Sequence, residues 1–98
     1  MAINLVSLVL PDFGVSKEQP TIDSKIYFER IRKLKTDLKN NKMESAIIYA
    51  DREHFANMHY LTGFDPRFEE ALLIINAKED CSYLITGPEN QGYSNISK

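Results

Sequence analysis

Residues 45–64, "SAIIYADREHFANMHYLTGF", decide the fold. The first six, Ser45 to Ala50, form an unbroken apolar run of strand length, which suits a central strand buried on both faces. Asp51 can then cap a helix, because its carboxylate accepts from the backbone N–H groups that open one, and Phe55 and Met58 fall on the inner side of that helix. Gly63 stops it, since glycine enters the left-handed conformation at a helix C-terminus without steric cost. A buried strand running into a short helix predicts an α/β fold.

Upstream, Tyr27, Ile31, Leu34 and Leu38 recur at i, i+4, i+7 and i+11, one face of an amphipathic helix, while Lys25, Glu29, Arg32, Lys33 and Asp37 point elsewhere. Asp23 or Ser24 can cap its start, and Asn40–Asn41 are suited to a left-handed end. Downstream, "ALLIINA" (71–77) and "CSYLIT" (81–86) are two strands joined by Lys78-Glu79-Asp80, short enough for a hairpin. Together these elements predict a mixed β-sheet flanked by helices. "PDFGVSKEQPTI" (11–22) reads as a connecting arm, and the apolar "MAINLVSLVL" before it as a strand. The expected division is therefore an N-terminal strand and arm over 1–22 and the domain proper over 23–98. The tail from Gly87 shows no periodicity.

With 98 residues the chain has room for one domain and one modest core. Its net charge of −2 gives no electrostatic reason to bind nucleic acid or an anionic membrane. Cys81 is the single cysteine, so an intramolecular disulfide, a Cys-rich zinc site and a redox pair are all excluded, and a reducing cytoplasm is the expected compartment. Residues 1–10 lack the basic region and cleavage site of a secretory leader, and they fall short of the roughly 20 apolar residues of a membrane span.

Both histidines lie in the central stretch, beside glutamates, which raises the question of a metal or acid–base site. His54 and His59 are five apart, about 140° around a helix, and no HExxH pairing is present, so they do not share one ion. Cys81 belongs to an apolar strand pattern and reads as a buried thiol. "TGPENQG" (86–92) lacks the Lys-Ser/Thr of a phosphate-binding loop. What remains is Tyr60 to Phe68, "YLTGFDPRF", a Gly/Pro turn presenting two aromatic rings and an arginine whose planar fork matches a carboxylate. Composition supports equally a structural reading, with Phe64 and Phe68 in the core and Arg67 paired to Glu69 or Glu70.

"NMHYLTGF" (57–64), with "SAIIYA" before it and "EALLII" and "SYLITGPEN" after it, resembles the N-terminal domain of the creatinase, prolidase and Xaa-Pro aminopeptidase family, the pita-bread metallopeptidases. The similarity runs from about Tyr27 to Tyr93, and its most specific part is the motif Asn57, Tyr60, Leu61, Thr62, Gly63 and Phe64. The resemblance implies a ribonuclease H-like α/β domain with a mixed sheet, truncated before the catalytic domain. It implies no catalytic residue and no metal ligand in this chain, because the divalent metal pair of such enzymes is held by aspartates, a histidine and glutamates of the separate catalytic domain. It also implies a homo-oligomer that meets a peptide or small amide substrate only through that domain. Phe64 and Arg67, with Phe68 beside them, resemble the residues that reach toward a neighbouring active site. The Asp65-Pro66 insertion departs from creatinase at this point. The alternative expectation is a free-standing small-ligand or protein-binding α/β module that has kept the fold and lost the enzyme.

Overall fold

The computed structural model describes residues 1–97. Helix α1 (Ser24–Asn40) leads to strand β1 (Ser45–Ala50), helix α2 (Ala56–Thr62), strands β2 (Ala71–Asn76) and β3 (Ser82–Thr86), and two 3-10 turns, Pro88–Asn90 and Tyr93–Ile96. The α/β class is as expected. Asp23 opens α1 by accepting from the Lys25 N–H at 2.9 Å. At its other end Asn41 stays right-handed and donates its side-chain amide to the Asp37 carbonyl, so the left-handed residue is Lys42, φ 58°, rather than Asn40 or Asn41.

The sheet order is β1-β2-β3, and both pairings are antiparallel, where a mixed sheet was expected. The connection from β1 explains the difference. A parallel return must carry the chain back along the whole strand, usually through a long helix. Here α2 has only seven residues, and the Gly63–Pro66 turn returns the chain to the sheet at the end where it left, with Ala50 opposite Ala71.

The order also makes β2 central and β1 an edge, correcting the expectation for residues 45–50. Strand β2 alternates buried and half-buried positions, with Ala71, Leu73 and Ile75 inward. The core joins these to Ala50, Met58, Leu61 and Phe64, with Ile31 and Leu34 of α1 packed against them. Both helices thus cover one face of the sheet. The opposite face is apolar and open: Ile47 is 68% exposed and Tyr49, Tyr83 and Ile85 about half exposed. An unbroken apolar run marks a strand with two apolar faces, and in β1 only one of them is covered. Cys81 precedes β3, is exposed, and donates its thiol to the Tyr83 hydroxyl at 3.4 Å, so it is not the buried thiol expected of a strand interior.

Residues 1–23 form no regular element, and the strand expected over 1–10 is not formed. Their large apolar side chains from Met1 to Val15 are each 75% or more exposed. No helix is long and apolar enough to cross a membrane among the described residues.

Candidate functional site

The segment Asn57–Phe64 is a helix end whose parts have separate structural tasks. Leu61 packs into the core. Buried Thr62 turns its hydroxyl back to donate to the Met58 carbonyl at 2.8 Å, and the same oxygen accepts from the Phe64 N–H at 3.1 Å. Gly63 adopts φ 72° and donates its N–H to the His59 carbonyl, closing α2. Tyr60 faces out and is gripped by α1: the Arg30 guanidinium lies 4.1 Å above its ring and donates to its carbonyl at 2.8 Å. Asn57 is exposed beside Tyr60 along the groove between α1 and α2.

After Gly63 the chain alternates between anchoring and display. Phe64 is fully buried, its ring 5.9 Å from that of Tyr93, so it cannot reach outward, and its expected role at a neighbouring site is corrected to a core anchor. Pro66 is buried as well. Asp65 between these two anchors is half-buried, and Arg67 and Phe68 after them are displayed. Phe68 is 68% exposed, which removes it from the core reading. Arg67 pairs with Asp65 at 3.7 Å rather than with Glu69 or Glu70. Glu69 is engaged elsewhere, accepting from the Asn90 N–H at 2.7 Å, with its carboxylate against Gly87 where a Cβ would collide with it.

Asp65, Arg67 and Phe68 border an open pocket of about 410 Å³ whose fourth wall is Arg52. Two guanidinium-bearing residues and an aromatic ring around one depression can take a carboxylate and the apolar group beside it. Arg52 reads in sequence as an ordinary surface charge, and no local pattern ties it to Arg67. The strand–turn geometry after β1 brings them to one pocket.

The turn that carries Arg52 is held by Asp51. One carboxylate oxygen accepts from the backbone N–H groups of Glu53 and His54, at 2.9 and 2.7 Å, and the other accepts from the Tyr49 hydroxyl at 3.1 Å. The His54 N–H, before all else, holds the Asp51 carboxyl below its ordinary 3.8. The Tyr49 phenol is pushed up to about 12, first by partial burial and then by its bond to Asp51 and by the nearby carboxylates. Asp51 therefore closes a turn ahead of α2 and does not cap the helix, which begins at Ala56. His54 sits on this turn, 3.0 Å from Asp51, whereas His59 lies edge-on to Phe55, so the two rings serve different contacts. Among the described residues no group of three His, Cys, Asp or Glu side chains is placed to hold a metal ion.

The fold defines a small α/β domain with its helices on one sheet face and a display loop beside β1. Residues 30–95 match the model of the creatinase/prolidase N-terminal domain, from within α1 to the last 3-10 turn, and the chain belongs to that family. This domain is not itself the catalytic part of a creatinase/prolidase-like protein. No curated protein and no solved structure matches the chain.

Proposed function

We propose that the domain serves assembly and substrate access in an Xaa-Pro peptidase-like or creatinase-like enzyme. In this reading it is cytoplasmic and binds no cofactor, the divalent metal pair belonging to a catalytic domain. Arg67 and Phe68 meet the carboxylate and an apolar side of a peptide or small amide in a neighbouring subunit, with Arg52 as a second cation. The observation that carries the reading is the display of Arg67 and Phe68 directly after buried Phe64 and Pro66, with half-buried Asp65 between those two anchors. Such anchoring holds a recognition loop in place before it meets its target, which lowers the ordering cost of binding.

The sheet supports self-association in this reading. Strands β1 and β3 both end it, and neither carries the charge or proline with which edge strands resist pairing. A homo-oligomer formed through such an edge brings the display loop of one subunit to its neighbour. Light scattering on the chain tests the assembly and should return more than one copy per particle. Kinetics of an Arg67→Ala variant of the chain joined to its catalytic domain test the loop. A monomer that binds small carboxylates, with turnover untouched by the substitution, would instead favour an independent binding module.

A further inference from the structure

The free edge of β1 carries a hydrogen-bonding pattern that fits its own copy. The register of β1 with β2 continues past the strands to Glu44 opposite Ala77, where the Ala77 N–H donates to the Glu44 carbonyl at 2.8 Å. In an antiparallel ladder hydrogen-bonded pairs alternate with non-bonded ones, so Ala46, Ile48 and Ala50 turn their backbone groups toward β2. Ser45, Ile47 and Tyr49 turn theirs the other way, and among the described residues nothing in the chain bonds to those groups. Beyond Tyr49 the edge is closed, because the Asp51 N–H donates to the His54 carbonyl. Ile47 is therefore the centre of the free edge.

We propose that β1 pairs antiparallel with β1 of a second copy about a two-fold axis at Ile47. This dimer is one form of the self-association already proposed and stands on that reading. With Ile47 opposite Ile47 of the second copy, Ser45 faces Tyr49 of that copy and Tyr49 faces its Ser45, so every outward residue exchanges two backbone hydrogen bonds with a partner. A slip of two residues leaves one of the three outward residues without a partner. A slip of one sets them opposite residues whose backbone groups are already bonded to β2. The free edge thus specifies a single register with itself.

The side chains agree with that register. On the helix side it sets Ala46 beside Ile48 of the second copy, a small residue against a branched one, where non-bonded pairs bring side chains closest. Ile48 also lines an open groove of about 450 Å³ with Leu34 and Leu61, so the helix layer leaves space next to this edge. On the open face Ile47 heads the row Ile47–Ile74–Tyr83, and the axis joins that row to its copy across one continuous sheet. No charged residue lies between Ser45 and Ala50 to oppose its counterpart. The β3 edge is less suited, because Pro88 stands two residues beyond Thr86 and the charged run Lys78-Glu79-Asp80 adjoins its other end.

Ile47 is exposed and outside the core, so a charge placed there leaves the fold intact. Sedimentation equilibrium on the chain should give a dimer. Ile47→Lys and Ile47→Glu should each weaken it by about tenfold or more, since the axis sets like charges against each other. An equimolar mixture of the two variants should recover the dimer. In the wild-type chain, amide exchange followed by NMR should slow at Ser45, Ile47 and Tyr49 as protein concentration rises, a readout independent of how either variant folds. Single variants that dimerise like wild type would overturn the proposal and leave self-association to another surface. The proposal would also fall if the mixture stayed monomeric while both variants kept the native circular dichroism, or if exchange at those three amides did not change with concentration. A wild-type chain that is monomeric throughout would overturn the self-association reading as well.

Discussion

Arg30 holds Tyr60 twice, with its guanidinium 4.1 Å above the ring and 2.8 Å from the carbonyl of the same residue. The Tyr27 ring, one turn earlier on α1, lies 5.2 Å from that guanidinium. One side chain thus ties α1 to the C-terminal turn of α2, next to the display loop. Replacing it with Met should keep much of the aliphatic packing and lose the cation–π and charged hydrogen-bond contacts, costing about 1–3 kcal/mol. Arg30→Lys should recover only part of that, because an ammonium cannot both lie flat on a ring and reach the carbonyl. Urea denaturation of the two variants measures the difference, and an Arg30→Lys protein as stable as wild type would show that charge alone suffices.

Thr62 accounts for a second part of the loop's rigidity. Thr62→Val is nearly isosteric but removes the acceptor of the buried Phe64 N–H and the donor to Met58, with an expected cost of about 1–3 kcal/mol. Thr62→Ser keeps both bonds and loses one methyl, roughly 1 kcal/mol. Denaturant midpoints should therefore rank wild type, Ser and Val in that order. A Val variant as stable as wild type would mean that the hydroxyl contributes nothing to the helix end.

These contacts mark the boundary of what the residues disclose when read in order. Helix α1 is legible because its four apolar positions repeat at helical spacing, and the β2–β3 hairpin because two apolar runs flank three charged residues. Gly63 is legible as a helix stop and takes the left-handed φ that makes it one. The place of β1 is not legible, since an apolar run reports two apolar faces and is silent on whether a second layer covers both. Phe64 and Phe68 flank the same Asp-Pro-Arg, and only the direction in which the chain leaves Gly63 turns one inward and the other out. No local pattern ties Arg30 or Arg52 to a partner because those partners come from distant elements, although the i+3 spacing of Arg30 from Tyr27 places it at the margin of the inner face.

The acid limb of stability should depend on Asp51. Its carboxyl lies below 3.8 in the folded chain, so the ionised form contributes stability that is fully present above the unfolded value and is lost as pH falls through the folded one. Asp51→Asn retains an oxygen acceptor for the Glu53 and His54 N–H groups but carries no charge. The stability gap between wild type and variant, measured by thermal unfolding, should be widest near neutral pH and close as pH drops below about 4. A gap that stays constant down to about pH 2 would assign the effect to shape rather than charge. The bond from Tyr49 can be followed in the same variant by ultraviolet titration, where the phenol that ionises near 12 should move down toward its ordinary 10.0.

Arg67 separates recognition from scaffolding. Its side chain is 66% exposed, and its partner Asp65 stands 3.7 Å away, so Arg67→Ala should cost this chain no more than about 1 kcal/mol, the usual range for exposed pairs. A buried ion pair broken by the same substitution would instead cost about 3–5 kcal/mol. In a protein joined to its catalytic domain, loss of a charge-assisted contact to a substrate carboxylate should lower kcat/KM about tenfold or more. Arg52 borders the same pocket, so Arg52→Ala should give a smaller loss in the same direction, and the double variant should lose more than the sum because either cation can partly answer for the other. Asp65→Asn supplies the control on sign: it frees Arg67 from its local partner, and recognition of a carboxylate predicts an unchanged or improved KM. Unchanged kinetics in Arg67→Ala, Arg52→Ala and the double variant, with the fold intact, would return this loop to the scaffold.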